Sequence, residues 1–292
     1  MSTNLLSKII CQAIGTVYDF DIKRFPRAVR IETTNACNAQ CTICPHPGME
    51  RPTTRIAEGS LKKIIDECSE NNCAEVHLHN FGEPFLDKRL EQFISYAKSK
   101  GIRKVKIFSN GSIISEDRAK GVLLAGIDEI KVSFDGATKE EFEKMRAPLK
   151  FDEVVSNLLR LVELRDELKS TAKIMVACCS TTDKSKTMKL LESKADGFSF
   201  GKIHNWGGEG EQKQSGVRKP CSRLWRTFTI LADGNVSLCC LDYDGQVNFG
   251  NIEDLSIAEI WSSGKYNLAR RFHRSADQKK ISLCGNCSKA YL

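Results

Sequence analysis

The sequence predicts an α/β domain built on a parallel sheet, followed by a smaller C-terminal region of different composition. Two observations carry this. Between residues 28 and 203, short apolar runs of strand length alternate six times with longer stretches of helical spacing. Such alternation specifies parallel strands joined by right-handed helical crossovers. Beyond His204 the alternation stops: 205–211 is glycine-rich, 212–219 is polar, and Pro220 closes the stretch.

The elements follow in order. A strand at 28–34 feeds straight into a cysteine-rich loop. At 58–71, Leu61, Ile64, Ile65 and Cys68 recur on one helical face. A strand at 74–79 leads to a helix at 87–100 that stops at Gly101. A strand at 104–108 leads to a helix at 115–125 that stops at Gly126. Both glycines stand where a helix C-terminus takes a left-handed residue. The pattern continues with a strand at 129–134, a long helix at 151–169, a strand at 172–178, a helix at 184–194 and a strand at 197–203. Residues 206–220 read as a linker. The remainder has strands at 227–231 and 235–238 around Ala232-Asp233-Gly234-Asn235, where Asp-Gly signals a hairpin turn. The expected organisation is therefore a domain over 1–205, a linker over 206–220 and a second domain over 221–292. In folds of this class sites gather at the strand C-termini.

Composition bounds the function. Hydrophobic residues make up 41% and charged residues 28% of the 292 positions, an ordinary globular balance. No apolar run approaches the roughly 18 residues of a spanning helix. The N-terminal stretch lacks a basic segment and a cleavage site, so a secretory signal is not expected. Thirteen cysteines at close spacings, in a chain of this length, point to metal in a reducing, cytoplasmic setting rather than to disulfides. A net charge of +7 suits an anionic substrate or an acidic electron donor, and equally a plain solvated surface. No arginine-rich run with interleaved aromatics suggests nucleic acid.

The chemistry is concentrated in Cys37-Asn-Ala-Gln-Cys41-Thr-Ile-Cys44. Three thiolates on one loop can converge on a four-iron cluster and leave one iron open. The alternative is a zinc site short of a ligand, with His46 as the nearest further donor. This string resembles the signature of the radical S-adenosylmethionine (SAM) superfamily. The resemblance implies a partial six-stranded (β/α) barrel and a SAM molecule chelating the open iron. Ile43 stands where the superfamily often has an aromatic residue, which weakens one adenine contact. Gly82-Glu83-Pro84 ends the second strand and resembles the superfamily's glycine–glutamate motif, which implies that Gly82 and Glu83 hold the methionyl ammonium. An ammonium needs acceptors, and glycine lets backbone approach closely. The third and fourth strands end in Ser109-Asn110-Gly111 and Ser133-Phe134-Asp135-Gly136. Ser109 and Asn110 suit hydrogen bonds to ribose hydroxyls and the SAM carboxylate. The resemblance implies that Ser133 and Arg146 also contact SAM. The plain alternative for both strings is a turn.

A second set, Cys221, Cys239, Cys284 and Cys287, has gaps of 18, 45 and 3. With Leu224-Trp225, Gly250-Asn251-Ile252 and Glu259-Ile260-Trp261 around it, this set resembles the Twitch domain, the short form of the SPASM extension. That implies one auxiliary four-iron cluster held by all four cysteines, with Cys240 as a rival to Cys239. Four thiolates leave no iron open, which suits electron transfer; a four-cysteine zinc site is the alternative. The fold class implied is a partial (β/α)6 TIM-like barrel followed by a small Twitch domain of β-hairpin plus helix.

Two [4Fe-4S] clusters and SAM together imply formation of a 5′-deoxyadenosyl radical, hydrogen abstraction, and transfer of the leftover electron to the auxiliary cluster. The cysteine layout is similar to that of 2-deoxy-scyllo-inosamine dehydrogenases. It implies oxidation of a hydroxyl-bearing carbon on a small sugar-like or aminocyclitol-like molecule, with a flavodoxin-type or ferredoxin-type electron donor. His204, ending the sixth strand, is the candidate base or hydrogen-bonding partner for the departing hydroxyl proton, since an unperturbed histidine can take a proton near neutrality. It is otherwise a loop histidine packed by Trp206, with Glu209 and Glu211 as further candidates. The alternatives are an epimerase using Cys178, Cys179 or Cys240 as hydrogen donor, a ribosomal-peptide maturase (for which the segment before the first strand is short), and a zinc-stabilised scaffold.

Overall fold

The computed structural model describes residues 3–191, 194–208 and 215–292. Helix α1 (Thr3–Asp21) opens the chain, and strand β1 (Ala28–Ile31) follows. Strand–helix repeats come next: α2 (Glu58–Glu70), β2 (Glu75–His77), α3 (Leu90–Ser99), β3 (Lys104–Ser109), α4 (Glu116–Leu124) and β4 (Glu129–Ser133). Two helices, α5 (Lys139–Met145) and α6 (Phe151–Glu167), precede β5 (Lys173–Cys179), and α7 (Lys184–Leu191) precedes β6 (Gly197–Gly201). The rest is α8 (Arg223–Arg226), β7 (Thr227–Ile230), β8 (Asn235–Ser237), β9 (Asn248–Asn251), α9 (Ile257–Ser262), α10 (Gly264–Arg274) and α11 (Ser282–Gly285). The chain divides into two compact units. One comprises Arg30–Ile203 with Leu231–Asp233; the other comprises Met1–Val29, His204–Ile230 and Gly234–Leu292.

In the first unit the strands lie in the order β6-β5-β4-β3-β2-β1, and β2 to β6 pair in parallel. This is the α/β architecture with a parallel core that the repeats predict. The strands alternate instead of running uniformly apolar. Val105 and Ile107 of β3 and Ile130 and Val132 of β4 are fully buried. Their sequence neighbours are charged and paired: Lys106 with Glu75 at 2.6 Å, Lys104 with Glu129 at 2.6 Å. One face of this sheet is thus apolar core and the other carries a polar network.

The helices meet the sheet through the stripes read from the sequence. Leu61, Ile64, Ile65 and Cys68 are buried on α2, and Leu90, Phe93, Ile94 and Ala97 on α3. Gly101 and Gly126 follow the C-caps of α3 and α4 with φ of +81° and +88°, a region closed to most side chains. The helix expected from 87 begins at Leu90, because Pro84–Leu86 forms a 3-10 turn and Asp87 is tied to Arg89 at 2.8 Å. The sixth strand ends at Gly201 instead of 203.

The second unit holds elements that the sequence reading left out. Helix α1 packs along α10: Arg274 pairs with Asp19, whose other oxygen accepts from Trp225 Nε1 at 2.7 Å. Ser7 Oγ accepts from Arg218 N at 2.9 Å. The N-terminal helix therefore groups with C-terminal elements, where the reading of 1–205 as one domain had placed it with the barrel. β7 and β8 form the expected antiparallel hairpin, and β9 adds a third strand. Its core is aromatic. Phe228, Trp261 and Tyr266 are fully buried, and the Arg270 guanidinium lies 4.2 Å from the Trp261 ring and 4.5 Å from the Tyr266 ring. Among the described residues no helix is long and apolar enough to cross a membrane.

Candidate active site and a second cysteine cavity

The cysteine loop is a closed excursion from β1. Residues 52–56 run back beside 33–35: Asn35 N and Thr34 Oγ1 both donate to Thr54 O, and Ile56 N donates to Thr33 O. Asn35 binds the returning strand twice more, through Pro52 O at 2.9 Å and Thr54 N at 2.6 Å. A buried Glu32–Arg51 ion pair at 2.9 Å closes the neck. Between these ties sit Cys37, Cys41 and Cys44, all half-buried.

The loop tip is held from α5. Gln40 N donates to Ala147 O at 2.6 Å and Thr42 N to Met145 O at 2.9 Å. These bonds bracket Cys41 on one side and Arg146 on the other, so Arg146 Nη1 reaches Cys41 Sγ at 3.8 Å. The rest of the guanidinium grips Asp135 Oδ2, through Nε at 2.9 Å and through Nη2. Asp135 Oδ1 in turn accepts from Cys179 N. Asp135 thus orients Arg146, a role that the Ser133-Phe134-Asp135-Gly136 string signals but the sequence reading did not assign. Burial pushes the Cys37 and Cys44 thiols up to about 11. At Cys41 burial also raises the thiol, with Arg146 opposing it. A metal group binding here must displace those protons.

Gly82 and Glu83 lie against this loop. Glu83 N donates to Ala36 O at 2.8 Å. A Cβ on Gly82 would collide with Thr34 O and lie 2.7 Å from Ala36 O. The close approach that requires glycine is thus to the cysteine loop's own backbone, where the sequence argument had it toward a bound ammonium. Gly82→Ala is expected to cost about 3 kcal/mol, at the upper end of overpacking penalties because both obstacles are backbone. It should also loosen the loop, so thermal melts and iron content would fall together. An unchanged melting temperature and iron content would contradict this packing.

The Glu83 carboxylate is buried and accepts from Ser109 Oγ at 2.8 Å, Asn110 N at 2.6 Å and Phe85 N at 3.1 Å. Even so, burial outweighs these donors and holds its pKa up at about 7. A buried carboxylate whose desolvation outweighs both its hydrogen-bond donors and the charge of Arg146 is a ready seat for an ammonium. Ser109 and Asn110, expected as ligand contacts, use their side chains inside the protein. Ser109 Oγ donates to Glu83 and accepts from Gly111 N at 3.0 Å. Asn110 Nδ2 donates to Asn38 Oδ1 at 2.9 Å, and its Oδ1 accepts from Ser112 N at 2.9 Å. Asn38 lies between Cys37 and Cys41, so Asn110 braces the cysteine loop. Ser133 stands half-buried at the end of β4.

The second cysteine set lies in the other unit. Cys221, Cys239, Cys284 and Cys287 line one cavity together with Arg223 and His273, and Cys240 is not among the lining residues. The rest of the wall is Gly207, Leu238, Leu241, Leu283 and Ala290, with the buried Asp242 carboxylate. Burial drives the Cys239 and Cys284 thiols upward, and Arg223 opposes the shift at Cys239. Four thiols around one space, with the half-buried Arg223 beside them, fit a four-iron cluster. Among the described residues no three His, Cys, Asp or Glu side chains are drawn together as a site for a single metal ion.

His204 belongs to the same unit. It lies edge-on to Trp206, ring centroids 5.6 Å apart, and its Nδ1 is buried without a partner among the described residues. Burial first, then Lys289 and Arg223, hold its pKa down at about 4. The unperturbed basicity expected from sequence is therefore absent. Glu209 and Glu211 lie outside the described residues.

Residues 31–191 match the Radical SAM superfamily, and residues 221–288 match SPASM, the iron–sulfur cluster-binding domain. The chain belongs to the radical SAM superfamily, carries a SPASM domain, and uses SAM with iron–sulfur clusters. Among individual proteins it is similar to the S-adenosyl-L-methionine-dependent 2-deoxy-scyllo-inosamine dehydrogenase of Niallia circulans. The two are 23% identical over 266 residues, covering 89% of this chain and 92% of that protein. Among solved structures it is similar to BtrN in complex with AdoMet and 2-DOIA, with TM-score 0.65, 20% identity and coverage of 90% and 92%. It is also similar to SuiB of Streptococcus suis bound to precursor peptide SuiA, with TM-score 0.73, 12% identity and coverage of 95% and 73%.

Proposed function

We propose that this chain is a radical SAM dehydrogenase that oxidises a hydroxyl-bearing carbon of a small sugar-like or aminocyclitol-like molecule. The observation that supports it best is the division of seven cysteines into a loop set of three and a cavity set of four. We assign Cys37, Cys41 and Cys44 to the SAM-binding cluster, and Cys221, Cys239, Cys284 and Cys287 to the auxiliary one. When bound, SAM with the first cluster supplies a 5′-deoxyadenosyl radical, and the second cluster supplies a one-electron acceptor. In this reading the protein's own groups position and select. Glu83 holds the methionyl ammonium, Ser133 contacts SAM, and Gly82, Ser109 and Asn110 brace the pocket around it. Arg146, fixed by Asp135, places positive charge at Cys41. The similarity to a 2-deoxy-scyllo-inosamine dehydrogenase supports a polyol substrate. The surplus of positive charge suits an acidic flavodoxin-type or ferredoxin-type donor, and thirteen free cysteines suit a reducing cytoplasm.

An alcohol oxidation also releases a proton, and neutral His204 is proposed as the hydrogen-bonding partner of the departing hydroxyl, a role that does not need the basicity burial has removed. A pKa near 4 leaves it neutral, in its accepting form, throughout the physiological range. The expected pH profile of kcat/KM therefore has no histidine limb between about pH 5 and 8 that a His204→Gln variant removes.

A second reading rests on β5. Cys178 and Cys179 are both buried thiols, and burial pushes Cys178 up to about 12. A thiol kept protonated is a hydrogen-atom donor, which is what an epimerase requires. Turnover in heavy water with a panel of sugars and aminocyclitols separates the two. The dehydrogenase reading expects a product two hydrogens lighter and free of solvent deuterium. A product of unchanged composition carrying one deuterium would replace it with the epimerase.

A further inference from the structure

The cavity in the second unit contains one group that neither the sequence motifs nor the family resemblance accounts for. His273, on α10, lines the cavity beside the four cysteines and is 1% exposed. Its Nδ1 accepts a hydrogen bond from the backbone N–H of Cys221 at 3.2 Å. A ring nitrogen that accepts carries no proton, so the neutral imidazole has its hydrogen on Nε2. That Nε2–H is buried and has no partner among the described residues. A buried donor left without an acceptor is costly, and native proteins rarely tolerate it.

The surroundings narrow the choice of acceptor. The cavity wall beside His273 offers thiol sulfurs, aliphatic side chains, the donor-only Arg223 and the Asp242 carboxylate, whose two oxygens already accept from the backbone N–H groups of Leu238, Gln246 and Val247. The ring sits on the buried face of α10 that also carries Tyr266 and Arg270, and the residue's carbonyl accepts from Gln278 Nε2 at 3.4 Å. It therefore has one orientation that satisfies the Cys221 N–H.

We propose that His273 donates a hydrogen bond from Nε2 to a sulfur of the auxiliary cluster, and that this bond raises the cluster's reduction potential. This rests on the assignment of Cys221, Cys239, Cys284 and Cys287 as the cluster's ligands. A donor aimed at a cluster sulfur stabilises the more electron-rich, reduced state, and hydrogen bonds to sulfur are among the factors that set such potentials. His273 is a positioning and tuning residue: one nitrogen fixes the backbone of a ligand, and the other favours the arrival of an electron.

The test uses the full chain, reconstituted anaerobically with iron and sulfide, and a redox titration followed by electron paramagnetic resonance. His273→Phe keeps the ring volume and removes both nitrogens. At a fixed potential near the midpoint, the reduced-to-oxidised ratio of the auxiliary cluster is expected to fall about tenfold, which is about 59 mV for one electron. The SAM-binding cluster should be unmoved. A His273→Phe protein with full iron content and an unshifted auxiliary potential overturns the proposal. If that variant loses the cluster, the wild-type chain decides. With 15N-labelled histidine, the reduced auxiliary cluster should show a weak 15N coupling and an exchangeable proton that vanishes in heavy water. Absence of both overturns the proposal. A wild-type chain that binds a single cluster is a different failure, because it removes the ligand assignment underneath.

Discussion

Replacing Cys41 by alanine in the full chain is expected to lower 5′-deoxyadenosine release from SAM by at least about 10³-fold, more than 4 kcal/mol of transition-state stabilisation. Iron should fall by about half, because the four-cysteine set would still fill. The middle cysteine is the informative one. Its neighbours Gln40 and Thr42 are held through backbone bonds to Ala147 and Met145, so the loop keeps its course when the thiol is removed. Only the ligand and the Arg146 Nη1 contact disappear. Release measured by chromatography with a strong reductant, beside an iron assay and a circular dichroism spectrum, separates loss of the cluster from loss of the fold. Cleavage within a few-fold of the parent would mean that Cys41 is not a ligand.

Glu83→Gln is expected to weaken SAM binding by about 10- to 100-fold at pH 8, the cost of losing one charged hydrogen bond. The parent chain should show a related dependence on pH. Without ligand, burial raises the Glu83 pKa from 4.5 to about 7. The folded chain therefore holds an extra proton between those values. The group favours folding most at acid pH, and its contribution declines as pH rises toward and through about 7. A bound ammonium favours the carboxylate instead, so binding releases a proton and affinity weakens as pH falls below about 7. The glutamine variant has no carboxylate to titrate, and its affinity should be flat across the same range. Titration calorimetry in buffers of different ionisation enthalpy reads both the affinity and the proton. A parent affinity independent of pH from 6 to 8 would show that Glu83 does not face the cation. The ligand-free glutamine variant should melt no lower at pH 8 than would follow from one rearranged hydrogen bond, in contrast to Gly82→Ala.

Much of the first unit was legible because its physics is local. Strand alternation, the α2 and α3 stripes, and the glycines after α3 and α4 are each written within a few residues of chain. The cysteine spacings were legible for the same reason. What sequence could not give is settled by distant partners. The helix expected beside the C-terminal hairpin has no position in the sequence pattern, because the buried face of α10 is Tyr266, Ala269, Arg270 and His273, which no hydropathy pattern marks as core. Helix α1 acquires its place through Asp19, tied to Trp225 and Arg274. Ser109 and Asn110 were read as ligand contacts because small polar residues at strand ends often are. Their actual partners, Glu83 and Asn38, lie on other loops. His204 was read as an ordinary base, since nothing in its neighbours announces that burial will depress it.

The central claim is that two cysteine sets of different count hold two clusters with different jobs. The direct measurement is iron and acid-labile sulfide per chain after anaerobic reconstitution, on the parent and on a variant with Cys37, Cys41 and Cys44 all replaced by alanine. The account predicts about eight of each in the parent and about four of each in the variant, with SAM perturbing the spectrum of the parent alone. A parent holding about four or fewer, or zinc in place of iron at the second set, would contradict it.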